Sequence, residues 1–339
     1  SLVPLYSGNY HGTQQVEDLI GGGTLFQESQ DHVGSLKLIR SFSNGLKLKA
    51  VGSYGAEFLR ETVDESWGDG LYDNRRAAGG AEAEWSWAKD RYVRLAYDYY
   101  AIRFPNYTSL ESQGAVLGLG REFNAPDVLD THNHAVTLGS EIGLPGNGFL
   151  DASAAMTWSS FGSQHLVDLS GELTPDVRHD QDTILSAQGT WPLMVRPDWR
   201  LFSSLGFSWN HLLSDQNHYD AGQTFFNPNY YSYVTQTLQN QWTMLFGQDN
   251  PWSVNLNWSL ARQQYSDRLV QNNVGAYGTD ITRVDSASVG LGFTYPIAKG
   301  FRLSATTTFG WSNSNNEDNL IYQYHYHTAN YLMGFTYAY

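Results

Sequence analysis

The sequence predicts an all-β fold: a transmembrane, antiparallel, up-and-down β-barrel of about 16 strands, with 14 or 18 as alternatives. Three observations lead to this prediction. The chain ends in an alternating aromatic segment, its composition is rich in aromatic rings and poor in charge, and short turns alternate with longer polar connections. Together they indicate strands with one face toward lipid and one toward water.

The last nine residues carry the clearest pattern. Side chains of a strand alternate between two faces, and here one face carries only large, mostly aromatic residues. In lipid every strand edge must be paired, and aromatic rings suit the interface with water. The segment resembles the C-terminal assembly signal of Gram-negative outer-membrane β-barrels, which implies an integral outer-membrane location and recognition by the barrel assembly machinery. The residues of this signal are Tyr331, Met333, Phe335, Tyr337 and Tyr339.

The composition argues against both a soluble domain and a helical membrane protein. Aromatic residues make up 14% and charged residues 16% of the 339 residues, whereas about 25% charge is usual in soluble domains. The mean hydropathy is −0.42, and no run of about 18 apolar residues offers a membrane helix. These properties coexist when apolar residues occupy every second position of a strand.

Charge and cysteine content exclude further classes. The chain has no cysteine, which removes disulfides and cysteine-based zinc sites and suits passage through the oxidising periplasm. A net charge of −14 makes nucleic acid a poor partner, because phosphate binding needs a cationic surface. The histidine pairs His132/His134 and His325/His327 lack an evident carboxylate partner, so we expect no metal site and no cofactor.

The later strands show the alternation best. Aromatic residues lie at the ends of each apolar face, where the two aromatic girdles of a barrel are expected. The alternating segments are 199–209, 252–260, 287–295 and 301–311.

The connections give independent support. Turns rich in Gly, Asn, Asp or Pro are predicted at 43–45, 89–90, 247–251 and 296–300. Longer polar stretches occur at 57–76, 104–112, 174–182, 211–231, 263–282 and 312–329. This order predicts short periplasmic turns, longer extracellular loops and an even strand number with both termini in the periplasm. Residues 122–133 and 144–148 fit the scheme poorly.

The two ends of the chain differ in pattern. Residues 1–20 fit no strand well and are expected to be a periplasmic lead-in or the remnant of a linker, with a small plug as the alternative. Residues 21–339 are expected to form the barrel. A start at Ser1 without a signal peptide indicates a processed protein or a domain of a longer one.

Residues opposite the apolar faces are predicted to line the lumen. Mixed charges there would give a pore ion selectivity, and the alternative is an ordinary water-facing wall. The C-terminal strands present amides and hydroxyls, which donate and accept hydrogen bonds without charge and suit a sliding carbohydrate. The lumen candidates are Lys47, Lys49, Glu82, Glu84, Arg94, Asp98, Asp168, Glu172, Asn255 and Asn257.

No catalytic residue is predicted. The chain has ten His and many Ser, yet the sequence justifies no pairing between them, and Gly-x-Ser-x-Gly and His-Glu-x-x-His are absent. The expectation is a protein that is not an enzyme.

In size, predicted strand number and acidic balance the chain resembles the C-terminal barrels of cellulose-, poly-N-acetylglucosamine- and Pel-type exporters. That resemblance implies an outer-membrane channel for hydrophilic cargo, with a lean toward exopolysaccharide export through an acidic, polar lumen. The alternatives are a general or cation-preferring diffusion porin and a scaffold or translocator barrel for a partner protein. Expected partners are outer-membrane lipid, lipopolysaccharide, the barrel assembly machinery and periplasmic or lipoprotein secretion components.

Overall fold

The computed structural model describes residues 1–14, 26–60, 64–89, 91–107, 127–219, 225–248, 250–318 and 325–337. Within these ranges the chain forms one antiparallel sheet of 14 strands and a separate two-stranded pair. Consecutive strands of the large sheet are hydrogen-bonded neighbours throughout, which makes it an up-and-down meander. The prediction of an all-β, antiparallel fold is confirmed. The described residues contain no helix of the length and apolar character needed to cross a membrane.

The strands of the large sheet share hairpin connections, and the two-residue strands β10 and β11 form the small pair. A short 3-10 turn, Pro145–Asn147, joins β6 to β7. The strands are β1 Leu2–Gln14, β2 Phe26–Ser41, β3 Leu46–Arg60, β4 Asn74–Ala88, β5 Arg91–Arg103, β6 Thr131–Leu144, β7 Gly148–Val167, β8 Leu173–Val195, β9 Trp199–Ser214, β10 His218–Tyr219, β11 Phe226–Asn227, β12 Tyr233–Phe246, β13 Trp252–Gln271, β14 Tyr277–Ala298, β15 Phe301–Ser314 and β16 Tyr326–Tyr337.

The sheet has two chemically different faces. Because the register is regular, residues of one parity oppose each other from strand to strand. The apolar face is defined by exposed residues such as Leu48, Leu95, Leu138, Leu205 and Leu256, each 38–54% exposed. Leaving such a side chain in water costs about 1.5–3 kcal/mol relative to burial. This face therefore requires lipid, and the opposite, polar face carries the charges, amides and hydroxyls.

The molecule has little of the buried apolar core that a soluble domain depends on. Among the described residues, only Tyr107, Val128 and Val167 are buried hydrophobics. Buried polar residues are more numerous, and several of them, such as Asp73 and Gln216, lie in the connections. Side chains are thus buried mainly where the connections meet, whereas the strands place their apolar side chains on the surface of the molecule.

The connections are short at one end and mostly longer at the other, except for the turns 168–172 and 272–276; most of the predicted polar stretch 263–282 belongs to β13 and β14. Residues 42–45, 145–147, 196–198 and 299–300 form short turns at one end, called here the short-turn end. Residues 61–73, 104–130, 215–232 and 315–325 form longer connections at the other, called the loop end. Leu2 opposes Leu38, and Tyr337 opposes Phe301. The first residue of β1 and the last residue of β16 therefore both lie at the short-turn end.

The described sheet has 14 strands rather than about 16. β5 pairs directly with β6, and residues 108–126 between them lie outside the described residues. β5 ends and β6 begins at the loop end, so the short turn Pro145–Asn147 after β6 falls at the short-turn end.

Residues 1–20 do not form a strandless lead-in. Leu2–Gln14 is β1 and pairs with β2 along its whole length; residues 15–25 lie outside the described residues. The sequence hid this strand because Leu2, Val3 and Leu5 put apolar side chains on both faces, which obscures the period of two. Pro4 hides the strand further, because proline is uncommon within a sheet.

Asp168 and Glu172 do not share a face on a strand. They begin and end the turn between β7 and β8, where the Asp168 N–H donates to the Glu172 carbonyl at 2.9 Å and Gly171 takes a φ of 80°. Hydrogen bonds to its carboxylate, first from the Ser170 hydroxyl, lower the pKa of Asp168. The neighbouring stretch 174–182, predicted to be a loop, belongs to β8. The sequence analysis did not predict this turn because its main signal is a single glycine, Gly171.

Hairpin β7–β8 extends far past the sheet's apolar belt. Its strands have 20 and 23 residues, about twice the 9–11 that cross a bilayer. Hairpin β13–β14, with strands of 20 and 22 residues, is similar. Both hairpins therefore project at the loop end, where polar residues pack against each other.

Asp73 ties two loop-end connections together. Its carboxylate accepts the Leu59 N–H at 2.7 Å and a hydrogen bond from the Asn106 amide at 3.4 Å, and the same amide donates to the Gly68 and Gly70 carbonyls at 2.7 and 3.1 Å. Asp73 is only 2% exposed, and this burial raises the pKa of its carboxyl group.

We predict that the folded state loses stability as the buried Asp73 carboxyl group ionises. The folded pKa lies above the unfolded value of about 3.9, so the folded state retains a proton that the unfolded state has lost. Stability is then highest below the unfolded pKa and is lost as pH rises through the raised folded pKa, by about 1.4 kcal/mol for each pH unit that separates the two pKa values. Asp73→Asn keeps an oxygen for Leu59 and should flatten the profile. Urea unfolding in detergent, followed by Trp fluorescence against pH, measures this.

The control is Asp64→Asn, at an exposed position of the same connection, which should leave the wild-type profile unchanged. Parallel pH profiles for the wild-type protein and Asp73→Asn would contradict the prediction.

Candidate functional site on the polar face

A cluster of paired charges lies on the polar face near the short-turn end. Lys47 opposes Glu84 and Lys49 opposes Glu82 across β3 and β4. The Lys49 ammonium contacts Glu82 at 2.5 Å and Glu84 at 2.7 Å, and Lys47 contacts Glu84 at 2.6 Å. Opposite charges at opposed positions stabilise a sheet. The cluster is thus balanced, two lysines against two glutamates.

Glu82 and Glu84 also face β5, the next strand of the sheet. Glu84 does oppose Arg94 in register, but its carboxylate bonds to the lysines of β3 instead. The Arg94 side chain turns to the other side and lies over Gly139 of β6: a Cβ added there would come within 2.6 Å of Nε. Three adjacent strands therefore hold these charges, which only the register reveals.

Asp98 also depends on a glycine. Its carboxylate covers Gly80 on β4, where an added Cβ would overlap the Asp98 Oδ1 atom. Gly80 and Asp98 are directly opposed on the polar face. Asp98 is thus held flat along the wall rather than pointing away from it.

One row of directly opposed residues crosses the polar face from β4 to β15. It passes from charged residues on the N-terminal strands to amides and hydroxyls on the C-terminal strands. The row runs through Ser86, Tyr92, Glu141, Asp151, Gln188, Gly206, Gln239, Ser259, Ser288 and Gly310.

Two carboxylates of this row were missed by the sequence analysis. Glu141 on β6 opposes Asp151 on β7, and like charges directly opposite each other repel. They lie on either side of the turn Pro145–Asn147, so their positions within one hairpin could have been read from its length. This pair, unlike the balanced lysine cluster, adds net negative charge to the polar face.

An uncharged pocket of about 260 Å³ lies on the C-terminal half of the row. Amides and hydroxyls from six strands line it, and none of its lining residues is charged. Its lining includes Gln188, Ser204, Gly206, Gln239, Gln241, Asn257, Ser259, Ser288 and Thr308.

Glycines create the room for the amides of this pocket. A Cβ at Gly290 would overlap Asn257 Oδ1, and one at Gly206 would lie 3.0 Å from Gln239 Nε2. Asn255, the other amide that the sequence singled out, accepts a hydrogen bond from the Thr243 hydroxyl at 2.8 Å, beside the pocket. Side-chain amides and hydroxyls each donate and accept, so the wall can bind polyhydroxylated molecules without selecting for charge.

The connection 215–232 folds against the polar side of hairpin β7–β8. The Arg178 guanidinium lies between the Phe161 and Tyr231 rings, 4.4 Å from each centroid, and binds Asp180 through two contacts of 2.8 and 2.6 Å. Gln216 donates to the His165 carbonyl at 3.0 Å. The connection is therefore fixed over the loop end of the polar face; residues 220–224 lie outside the described part of the chain.

A second cavity of about 560 Å³ lies on the apolar face toward the loop end, with Trp158 and Leu213 among its lining residues. His132 and His134 do share one face, as the sequence indicated. Each ring, however, meets a tyrosine hydroxyl through Nδ1, at 2.8 Å from Tyr99 and 2.7 Å from Tyr97 respectively. Across the described ranges, no group of three or more His, Asp or Glu has the geometry of a metal site.

Three residues at the edge of this cavity form a row of nucleophile, base and acid types. Ser160 opposes His179 in the ladder between β7 and β8. His179 Nδ1 lies 3.4 Å from Asp215 Oδ2, and the backbone N–H of His179 donates to Asp215 Oδ1 at 2.7 Å. The order serine, histidine, carboxylate is that of acyl hydrolases. Sequence reasoning could not pair these residues because they lie on separate strands.

The residues of the C-terminal signal lie on the edge strand β16. Tyr331, Met333 and Phe335 are 73%, 67% and 60% exposed and share the apolar face, as expected. Tyr337 follows on the same face, and Tyr339 lies outside the described residues.

No family model matches the chain, and no curated protein matches it by sequence. Among solved structures, it is similar to OmpT, an outer membrane protein of Vibrio cholerae, with a TM-score of 0.43 and 9% identity over 99% of this chain and 96% of that one. It is also similar to the siderophore receptor PirA from Acinetobacter baumannii, with a TM-score of 0.44 and 10% identity over 99% of this chain and 58% of PirA. The copper transporter OprC gives a TM-score of 0.44 and 10% identity over 91% of this chain and 56% of OprC, so the chain spans little more than half of that transporter.

The expectation that the chain is not an enzyme is corrected. It rested on the absence of a Ser–His pairing in the sequence, whereas the structure places Ser160 opposite His179 in the ladder and Asp215 against His179. Enzymatic activity is therefore among the functions that the residues support.

The location is decided by the surface of the sheet. A continuous apolar face on long antiparallel strands, with aromatic residues toward its margins, requires a lipid environment. Strands that alternate in this way are those of bacterial outer-membrane proteins. The chain is an integral outer-membrane protein.

Proposed function

We propose that the sheet closes into a transmembrane barrel and serves as an outer-membrane channel for hydrophilic cargo. In the described residues the ladder ends at β1 and β16, whose sequences contain no charged residue. Exposed edge strands normally carry protecting charges, and lipid leaves an unpaired edge no partner. Pairing of β1 with β16 satisfies both strands, and it makes the polar face the wall of a lumen.

The observation that carries the proposal is the uncharged pocket on this wall. Amides and hydroxyls from β8 to β15 line it without a charged side chain, which suits cargo rich in hydroxyl groups. Carbohydrate is the cargo class that this chemistry favours. Export of an exopolysaccharide is the finer hypothesis, and it needs the same continuous surface of exchangeable hydrogen bonds.

We predict that Asn257→Ala and Gln239→Ala weaken binding of oligosaccharide in the channel. Each variant removes an amide that holds a sugar hydroxyl, worth about 0.5–1.5 kcal/mol, so block should weaken about two- to tenfold. Oligosaccharide block of single-channel current in a planar bilayer measures this. Ser253→Ala, on the polar face of β13 but outside the pocket lining, is the control. Unchanged block in both amide variants would argue against a carbohydrate channel.

The lumen would also prefer cations, because Glu141 and Asp151 are opposed without balancing charge between them, whereas the lysine cluster is balanced. We predict that Glu141→Gln with Asp151→Asn brings the reversal potential under a salt gradient toward zero. Asp168→Asn, in the turn beyond the sheet, should have no effect. If the double variant keeps the cation preference of the wild type, Glu141 and Asp151 are not its source.

A diffusion porin is a second candidate. It is favoured by the connection 215–232, which is fixed over the polar face by Arg178 and Gln216 and would narrow the lumen. Long and short oligosaccharides distinguish the two: a narrowed porin passes only short ones, whereas an export channel admits the long polymer. The scaffold or translocator alternative predicts a folded barrel without current and a co-purifying secretion component.

The third candidate is an acyl hydrolase at the apolar-face cavity, favoured by the row of Ser160, His179 and Asp215. Ser160 Oγ would attack an ester carbonyl while His179 takes its proton and passes it to the departing alcohol. Water would then release the acid and restore the serine. Asp215 would hold the histidine ring through Nδ1.

We predict that a fluorophosphonate labels the folded protein at Ser160 if this row is catalytic. Ser160→Ala and His179→Ala should each abolish labelling, since the alcohol needs its base. Ser159→Ala, next in the chain but on the other face, is the control. Labelling that is absent, or that persists in Ser160→Ala, would exclude this candidate without affecting the channel.

The aromatic face of β16 supports one proposal about assembly. Tyr331, Met333 and Phe335 are exposed on a terminal strand, in the place where the barrel assembly machinery would bind an unclosed barrel.

A further inference from the structure

A groove of about 540 Å³ crosses strands β9, β12, β13, β14 and β15 on the apolar face. Its lower part is apolar and its upper part, toward the loop end, is polar. The apolar lining consists of Phe207, Leu238, Leu260, Ala287 and Trp311, and the polar lining includes Gln236, Arg262, Asp285 and Asn313.

The change from apolar to polar occurs at the same level on neighbouring strands. Leu260 is followed by Arg262 on β13, and Ala287 is preceded by Asp285 on β14, with the two polar residues directly opposed. Trp311 on β15 leads to Asn313, which opposes Asp285. The level therefore marks the boundary between the hydrocarbon of the membrane and its headgroups.

One carboxylate holds two arginines at this boundary. Arg262 Nε donates to Asp285 Oδ1 at 2.7 Å, and Arg283 Nε lies 3.0 Å from Asp285 Oδ2. The arginine side chains remain 59% and 47% exposed. Two guanidinium groups against one carboxylate leave a net positive charge, with the terminal nitrogens of both directed by a shared anchor.

We propose that this groove binds a phosphorylated lipid of the membrane leaflet at the loop end. The two arginines bind a phosphate group, and the apolar part below them takes an acyl chain. Guanidinium binds phosphate through paired, charge-assisted hydrogen bonds. The arginines lie on the loop-end side of an apolar surface, which is the arrangement that a lipid with an anionic headgroup requires. The inference rests on the apolar face meeting lipid, as in the proposed barrel, but not on any transport activity.

The phosphate of a lipid and free phosphate share the same head chemistry, and the apolar groove decides between them. Phe207, Leu238 and Leu260 line a concave surface continuous with Arg262, and Arg283 lies beside it through the shared Asp285. Free phosphate would contact only the arginines. Only a phosphorylated lipid would occupy both the arginines and the apolar part of the groove.

The test measures binding of three probes to the purified full-length chain in detergent by native mass spectrometry. They are a bisphosphorylated glycolipid, its dephosphorylated counterpart and inorganic phosphate. We expect the phosphorylated lipid to bind tightest, and Arg262→Gln and Arg283→Gln each to weaken it by about tenfold or more. Leu260→Asn, in the apolar part, should weaken the lipid but not inorganic phosphate.

Arg302→Gln, on the polar face near the short-turn end, is the matched control and should bind like the wild type. A difference in electrophoretic mobility between heated and unheated samples verifies that each variant is folded. Equal binding of both glycolipids, or of the double arginine variant and the wild type, would overturn the proposal. The proposal would also be overturned if inorganic phosphate bound as tightly as the phosphorylated glycolipid and displaced it, because the site would then bind only an anion.

Conductance of the same variants keeps this inference separate from the proposed channel. Lost lipid binding with normal current supports the groove and leaves the channel intact. Absent current with normal lipid binding counts against the channel alone.

Discussion

The structure depends on one constraint: every backbone N–H and C=O of a strand in lipid must be bonded to a neighbouring strand. The up-and-down meander meets it by pairing each strand with the next in sequence, without a crossover. Pairing in regular register then forces side chains onto two faces. One becomes mainly apolar, and the other carries most of the charges, amides and hydroxyls. Membrane location, candidate channel and lipid groove are all consequences of this division.

The chemistry of the polar face follows from which strands are neighbours. Charges collect on β3 to β7, where Lys47 and Lys49 are balanced by Glu82 and Glu84 but Glu141 and Asp151 are not. The uncharged pocket is lined by residues of β8 to β15. A wall with acidic groups in one region and an uncharged pocket in another can attract cations along one path and bind hydroxyl groups along another. The apolar face is divided differently, by height, and changes to polar residues only toward the loop end.

Glycine has a specific part in this wall. Opposite Asp98, Arg94 and Asn257, the facing residues are Gly80, Gly139 and Gly290, and each gives a long polar side chain room to lie along the sheet. The long connections complete the molecule at the loop end. There Asp73 and Arg178 join separate connections and hairpins, so the little burial that the fold has is polar and is concentrated away from the lipid-facing strands.

The sequence by itself determined the fold class, the alternating faces and the order of short and long connections, because these follow from a period of two and from local turn residues. It placed Lys47, Glu82 and Asn257 on the polar face for the same reason. It failed where the pattern was weak, as in β1 around Pro4, or where one glycine made a turn, as between Asp168 and Glu172. Only the tertiary structure decided which strands meet, because register is a long-range property. It alone brought Ser160 to His179, Glu141 to Asp151 and both arginines to Asp285.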